Sequence, residues 1–326
     1  MREEMDYKSF CSQIGTEIGH ILPDEYSVHV HDVLKNNGQL VTEVSLSTPD
    51  SQISPALPME RFFDEYMAND DITIQDMAAK VASMALDACL KMPDWGMDVT
   101  KLLDHDNAEG RIVAELINIH QNEELLRQVP HVGVNEDLAE VFRIIMAKDA
   151  SVLIRNEHLP RLEMDVNDLV ESSRNNNISK YNFTDMAFMF PKGLMPEGMM
   201  YVGTARDVET GELANYGASC IADQAFMEEV TGRLGDDYAI IPSSIHEVIF
   251  INIEDGMDAN QIAAMIRDVN TAELRPEEVL SDRAYMYDYE HSRVITMEEG
   301  LQMRELRQQQ EQEMNRNVTD PQLGIA

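Results

Sequence analysis

Residues 236–288, DDYAIIPSSIHEVIFINIEDGMDANQIAAMIRDVNTAELRPEEVLSDRAYMYD, carry the most regular pattern in the chain. Two apolar runs, Tyr238–Ile241 and Glu247–Ile253, have strand length and flank a short polar turn containing Ser243, Ser244, His246 and Glu247. Ala259–Asn270 has apolar residues at helical spacing, and Asp258 is placed to cap its N-terminus. Ala284–Asp288 and Arg293–Thr296 form a final hairpin. The same rhythm precedes this segment. Met199–Arg206 and Tyr216–Ala222 read as strands joined through Glu209-Thr210-Gly211-Glu212, and Gln224–Leu234 as a helix ended by Gly235. Such turns are too short for parallel crossovers. The expected fold class is α+β: antiparallel or mixed sheets built from strand–strand–helix units, with packed helices on one face.

Toward the N-terminus, Met186–Met200 is rich in methionine, and Arg174–Lys180, with three consecutive asparagines, reads as loop. Val166–Ser173 is a short helix. Leu138–Ala147 and Ser151–Arg155 read as a hairpin around Lys148-Asp149, although the first arm would also suit a helix. Arg111–Ile119 is ambiguous between strand and helix and reads better as strand. Asp6–Ile21 aligns Phe10, Ile14, Ile18 and Ile21 on one helical face, and Pro23-Asp24 stops it. Tyr26–Leu34 and Gln39–Ser47 form a hairpin around Lys35-Asn36-Asn37-Gly38. Pro49–Pro58 is a loop; Met59–Met67 and Ile72–Lys91 are helices, the second ended by Pro93–Gly96. A polar, Gln-rich helix follows from Glu298, projecting into a disordered end. The expected organisation is an N-terminal α+β region at 1–174, a loop and Met-rich connector at 175–198, a C-terminal α+β region at 199–296, and a tail at 297–326.

The charge balance narrows the partners. Across 326 residues, 25 Lys and Arg face 60 Asp and Glu, a formal net charge of -35. That surface repels phosphate backbones and anionic head groups, so nucleic-acid and membrane binding are disfavoured. With 44% hydrophobic residues the chain can bury a core. Cys11, Cys89 and Cys220 are isolated and odd in number, which indicates neither a disulfide framework nor a zinc site. No apolar run approaches a membrane span and the first residues lack a signal-peptide core, so the expected location is cytoplasmic.

Several residue groups invite a chemical reading, each with a plainer structural one. His29 and His31 share one face of a strand, a spacing that suits metal chelation if a third ligand converges; an exposed strand face is the commoner explanation. Ser243, Ser244, His246 and Glu247 offer a hydroxyl, an imidazole and a carboxylate, but adjacency does not supply triad geometry and no GxSxG elbow presents the serine. The plainer reading is a turn in which serine hydroxyls satisfy backbone amides and His246 caps the sheet. Asn156-Glu157-His158, His131 and Asp104-His105-Asp106 are weaker signals of the same kind. Met186, Met189, Met195, Met199 and Met200 suit an adaptable apolar groove or simple core filling. Asp255-Gly256-Met257-Asp258 is too short for a calcium loop, and Asn182-Phe183-Thr184 matches a glycosylation sequon without secretory context. Dinucleotide, NTP and kinase signatures are missing, and no cofactor is expected.

Tyr26–Gly38 (YSVHVHDVLKNNG), the ELLRQVPHVGV stretch within Leu116–Val134, Ser151–His158 (SVLIRNEH) and, most specifically, IIPSSIHEVI and DVNTAELRPEEVLSDRAYMYD within Ile240–Asp288 resemble an uncharacterised domain-of-unknown-function family found in gut Clostridia. The resemblance spans roughly residues 6–296 and implies no activity, cofactor or catalytic residue. The leading functional expectation is a non-enzymatic binding or regulatory protein that holds a protein or peptide partner on a sheet or Met-lined groove. The alternative is a hydrolase centred on Ser243, Ser244, His246 and Glu247, joined by His158 or His131.

Overall fold

A computed structural model describes residues 5–47, 56–91, 99–147, 150–242, 244–253 and 257–319. Ser243, the Lys148-Asp149 turn, most of the 49–58 loop, the Pro93–Gly96 stop, Asp255-Gly256 and the last residues of the tail lie outside the described residues. The chain divides into two compact units, Met1–Asp104 and His105–Ala326.

In the first unit, helix α1 (Tyr7–Ile21) begins at Asp6, whose carboxylate accepts the Ser9 N–H at 2.9 Å. Phe10, Ile14 and Ile18 are buried at helical spacing, but Ile21, the expected fourth member of that stripe, is exposed and Leu22 is buried instead. Strands β1 (Ser27–Leu34) and β2 (Leu40–Ser47) pair antiparallel from Ser27↔Ser47 to Leu34↔Leu40, with β3 (Ala56–Pro58) on the far side of β2. Asn37 and Gly38 both take positive φ at the hairpin turn, the conformation that Asn-Gly supplies at least cost. The alternation of β2 sends Val44 and Leu46 into a core shared with α1 and with helices α2 (Glu60–Ala68) and α3 (Ile74–Lys91). Phe10 packs at 5.2 Å from Tyr66 and 5.3 Å from Phe63. Each such buried side chain contributes roughly 1.5–3 kcal/mol.

The second unit holds two antiparallel sheets. In the smaller one, β6 (Leu138–Ala147) is central, paired with β4 (Ile112–Asn118) on one side and with β5 (His131–Gly133) and β7 (Ala150–Leu153) on the other. Short helical turns α4 (His105–Ala108), α5 (Glu123–Leu126) and α6 (Leu159–Leu162) fill connections, and α7 (Val166–Arg174) starts in a capping box between Asp165 and Asp168. The larger sheet contains β8 (Ser179–Asp185), β9 (Met200–Asp207), β10 (Leu213–Ala214), β11 (Tyr238–Pro242), β12 (Val248–Asn252), β13 (Tyr285–Asp288) and β14 (Arg293–Thr296), and every pairing is antiparallel. The fold is therefore α+β.

Three expectations need correction. The 175–198 segment is not a boundary between regions: β8 lies inside it and pairs along its whole length with β9. Tyr216–Ala222 is not a strand. Tyr216 is left-handed (φ 65) and Gly217–Ala222 is a 3₁₀ segment buried through Ile221, where an apolar run shows no distinguishing period. Finally, the helices do not share one face of the large sheet. Helix α8 (Gln224–Leu234) packs Phe226 and Val230 with Ile240, whereas α9 (Ala259–Glu273) packs Ile262 and Ile266 with Ala239. Ala239 and Ile240 are successive strand residues and point to opposite faces, so the sheet is covered on both. The terminal helix α10 (Met297–Thr319) seats its first turns on this core through Met297, Leu301 and Met303, and its described side chains beyond Arg304 are exposed.

Candidate functional site

The turn read as a possible reactive centre has a structural chemistry. Ser244 is buried, and its Oγ accepts the His246 N–H at 3.0 Å, as a serine does in a local turn. His246 Nδ1 accepts the Tyr216 N–H at 3.2 Å, which leaves the neutral ring with its proton on Nε2. Burial lowers the His246 pKa, opposed by Glu278, Glu115 and Glu247. Glu247 bonds Ser244 through its backbone carbonyl (3.2 Å), not by orienting the imidazole. His158 serves its own turn, Nδ1 accepting the Arg155 N–H at 3.1 Å, and His131 Nδ1 lies 3.1 Å from the Val129 carbonyl. Among the described residues no serine oxygen and carboxylate converge on the two nitrogens of His246.

His246 instead borders a buried polar network that the sequence reading missed. Arg143 pairs with Glu115 and bonds Ser151 at 3.2 Å; its guanidinium lies 5.2 Å from the centre of the Tyr216 ring, whose hydroxyl is 3.2 Å from Ser151 Oγ. A second pair, Arg174 with Glu140, is seated beside Asp223, and burial raises the Glu140 pKa against the pull of Arg174. A third network gathers on Asp137, which takes the Arg283 guanidinium at 3.2 Å and the His120 ring at 3.3 Å. The Tyr285 hydroxyl lies between Asp137 (3.2 Å) and Ser281 Oγ (2.7 Å). Asn270 donates to the Ser281 carbonyl at 3.0 Å and to Asp282 at 2.9 Å. Arg283 and Tyr285 of the DVNTAELRPEEVLSDRAYMYD stretch thus hold β13 to the β5–β6 turn, while Asn270 ties α9 to the segment that leads into β13.

His29 and His31 do share a strand face and are exposed. His29 Nε2 lies 2.8 Å from Ser47 Oγ, and Glu43, opposite His31, pairs with Lys35 at 2.7 Å. No group of three metal-ligating side chains occurs among the described residues. The methionines of 186–200 lie with Phe188, Phe190 and Leu194 on the connection from β8 into β9, where Met189 and Met199 are exposed and Met186, Met195 and Met200 half-buried. Asp258 caps α9 as expected, accepting the N–H groups of Asn260 and Gln261 at 2.8 and 3.0 Å.

The open concavity of the first unit lies between α1 and β1. It has a volume of about 420 Å³, and its lining includes Lys8, Ser12, Gly15 and Thr16 of the helix and Val28, Val30, His31 and Asp32 of the strand. Gly15 is essential to the seam, because a Cβ there would fall 2.4 Å from Val30 Cγ2. Asp32 accepts the Thr42 hydroxyl at 2.7 Å on the same face. Among the described residues β1 pairs only with β2, so its other edge is open, and six of its eight residues are exposed. Sequence reasoning found this hairpin but not its open edge, because strand order within a sheet has no local signal.

No described helix is long and apolar enough to cross a membrane. Neither a curated protein nor a solved structure matches the chain. The family model that does match covers residues 7–289, and the chain belongs to that family, the family of unknown function DUF5688.

Proposed function

We propose that the protein is a non-enzymatic binding protein that holds an extended peptide segment of a partner along β1. The observation that carries this reading is the open β1 edge running beside the α1 groove. An added strand would draw affinity from main-chain hydrogen bonds and specificity from the side chains that fall alternately into the groove. Those positions meet Val28, Val30 and Asp32 in turn, so the favoured segment is apolar at two alternate positions and basic at the third. The charge of the unit agrees: residues 1–104 contain seven Lys or Arg against nineteen Asp or Glu, a formal -12. Charged side chains on an edge also guard it against indiscriminate pairing, and Asp32 serves that purpose toward strands of the wrong composition.

The test is hydrogen exchange on the full chain with short alternating Val/Thr peptides bearing one Arg or, as control, one Glu. The Arg peptide is expected to bind and to slow exchange of β1 amides, with the effect lost in Val30→Asp. Binding that leaves β1 exchange unchanged, or that survives Val30→Asp, removes the proposal.

A further inference from the structure

We infer that the second unit associates with a second copy of this chain by exchange of an apolar loop into a cleft at the opposite end of β8. The loop, 186–198, leaves the C-terminal end of β8 with its neck pinned by Asp185, which accepts the N–H groups of Ala187 (2.9 Å) and Gly198 (2.7 Å). Its tip and flank expose Phe188 (71%), Met189 (55%), Phe190 (41%), Leu194 (70%) and Met199 (57%). A concentration of apolar surface on a pinned loop marks an interaction site. Its one cation, Lys192, is exposed among them.

The cleft lies at the N-terminal end of β8, between the two sheets. It holds about 280 Å³, and its lining includes the apolar Ile178, Met146 and Leu213, the acidic Asp207, Glu209 and Glu212, and Arg111. Apolar side chains with one lysine meet a mixed lining whose three carboxylates outnumber its one arginine, so the loop's cation and apolar tip both find complementary groups there. The loop does not reach its own cleft, since the seven residues of β8 separate them by roughly 20 Å. A two-fold axis that sets β8 beside the partner's β8, antiparallel, brings each loop to the other copy's cleft. Among the described residues β8 pairs only with β9, which leaves that edge available. At about 150–200 Å² per large side chain, covering the five residues removes on the order of 500 Å² per loop. Two loops and the smaller linings of two clefts then bury on the order of 1,400 Å², within the standard range of a specific interface. Lys192 and the cleft carboxylates also offset, locally, the repulsion that a net charge of -35 imposes on two copies.

The test is sedimentation velocity of the full chain across the micromolar range, with circular dichroism to confirm folding of each variant. Wild type is expected to dimerise, and Phe188→Ser with Leu194→Ser to be monomeric. Lys192→Glu and Glu209→Lys should each weaken dimerisation on the order of tenfold by placing like charges at both contacts. An equimolar mixture of the two should recover wild-type affinity, because both contacts of the mixed dimer are again opposite in sign. A monomeric wild type, or a mixture no tighter than its components, overturns the proposal.

Discussion

His246 Nδ1 accepts the backbone N–H of Tyr216 at 3.2 Å, and this bond requires a neutral imidazole. Tyr216 is left-handed and begins the 3₁₀ segment, so the bond fixes a crossing of the chain over the sheet rather than preparing a base. Burial places the folded pKa of His246 below its ordinary value of 6.5. The unfolded chain therefore takes up the proton first. The stabilisation is fully present above about 6.5 and declines as the pH falls through that value toward the folded pKa. His246→Asn keeps an acceptor near the Nδ1 position without titrating, so its urea-denaturation stability should lack this part of the acid slope. His246→Ala should lose about 1 kcal/mol at neutral pH through the abandoned N–H. Identical acid slopes for wild type and His246→Asn would contradict the assignment.

Glu115 and Arg143 occupy adjacent strands β4 and β6, with Glu115 almost fully buried. Removing one partner leaves a buried charge unpaired, which costs about 3–5 kcal/mol. Glu115→Leu should approach that loss in chemical denaturation. Glu115→Leu with Arg143→Met should recover most of it, because apolar pairs replace buried ion pairs at little net cost. A double variant as unstable as the single one would show that Arg143 acts chiefly through Ser151 and Tyr216.

The legible parts of the fold were those written locally. Ile240 pairs with Phe250 because two short apolar runs flank a polar turn, Asp258 caps α9, and Gly235 ends α8 with φ 79. The illegible parts depend on distant partners. Glu115 stood as a lone charge in an apolar strand, and Arg143 shared one with Glu140, a signal of buried pairs that does not name the partners. Ser281, Arg283 and Tyr285 looked like family signature, yet Arg283 and Tyr285 converge on Asp137, more than 140 residues away in sequence, with Ser281 bonded to the Tyr285 hydroxyl. The 3₁₀ segment escaped notice because Gly217–Ile221 is buried on every side and shows no periodicity. Of the candidate centre, the turn role of Ser244 was legible, whereas the contact of His246 with Tyr216 was not.

Glycine substitutions separate close approach from simple flexibility. A Cβ on Gly217 would lie 2.4 Å from both the Ala205 nitrogen and the His246 carbonyl oxygen, and backbone cannot step aside as a side chain can. Gly217→Ala should therefore cost at least the 1–3 kcal/mol typical of overpacking. At Gly203 the nearest atoms are side-chain ends of Cys220 and Phe250, at 2.8 and 2.9 Å, so Gly203→Ala should fall lower in that range. Gly232 is exposed within α8 and meets nothing within 4 Å, and Gly232→Ala should stabilise by about 0.4–1 kcal/mol. Thermal melts of the three variants should rank in that order.

Asp185 is the neck of the apolar loop, with one oxygen on Ala187 N–H and the other on Gly198 N–H. Asp185→Ala releases both ends, and hydrogen bonds to a charged acceptor are worth about 1.5–3 kcal/mol each. The Ala187 and Gly198 amides should then exchange at least tenfold faster, while amides of β9 and β12 change little. Asp185→Asn keeps one acceptor oxygen but turns an amide donor toward the second N–H, so it should free one end and fall between the two. Limited chymotrypsin digestion reads the same loop through Phe188, Met189 and Leu194, Phe190 being shielded by the proline that follows it: cleavage should accelerate in the order wild type, Asn, Ala. Exchange and cleavage that stay at wild-type rates in Asp185→Ala would mean the loop holds its shape through its own contacts, with Gly193 and Gly198 at positive φ setting the turns.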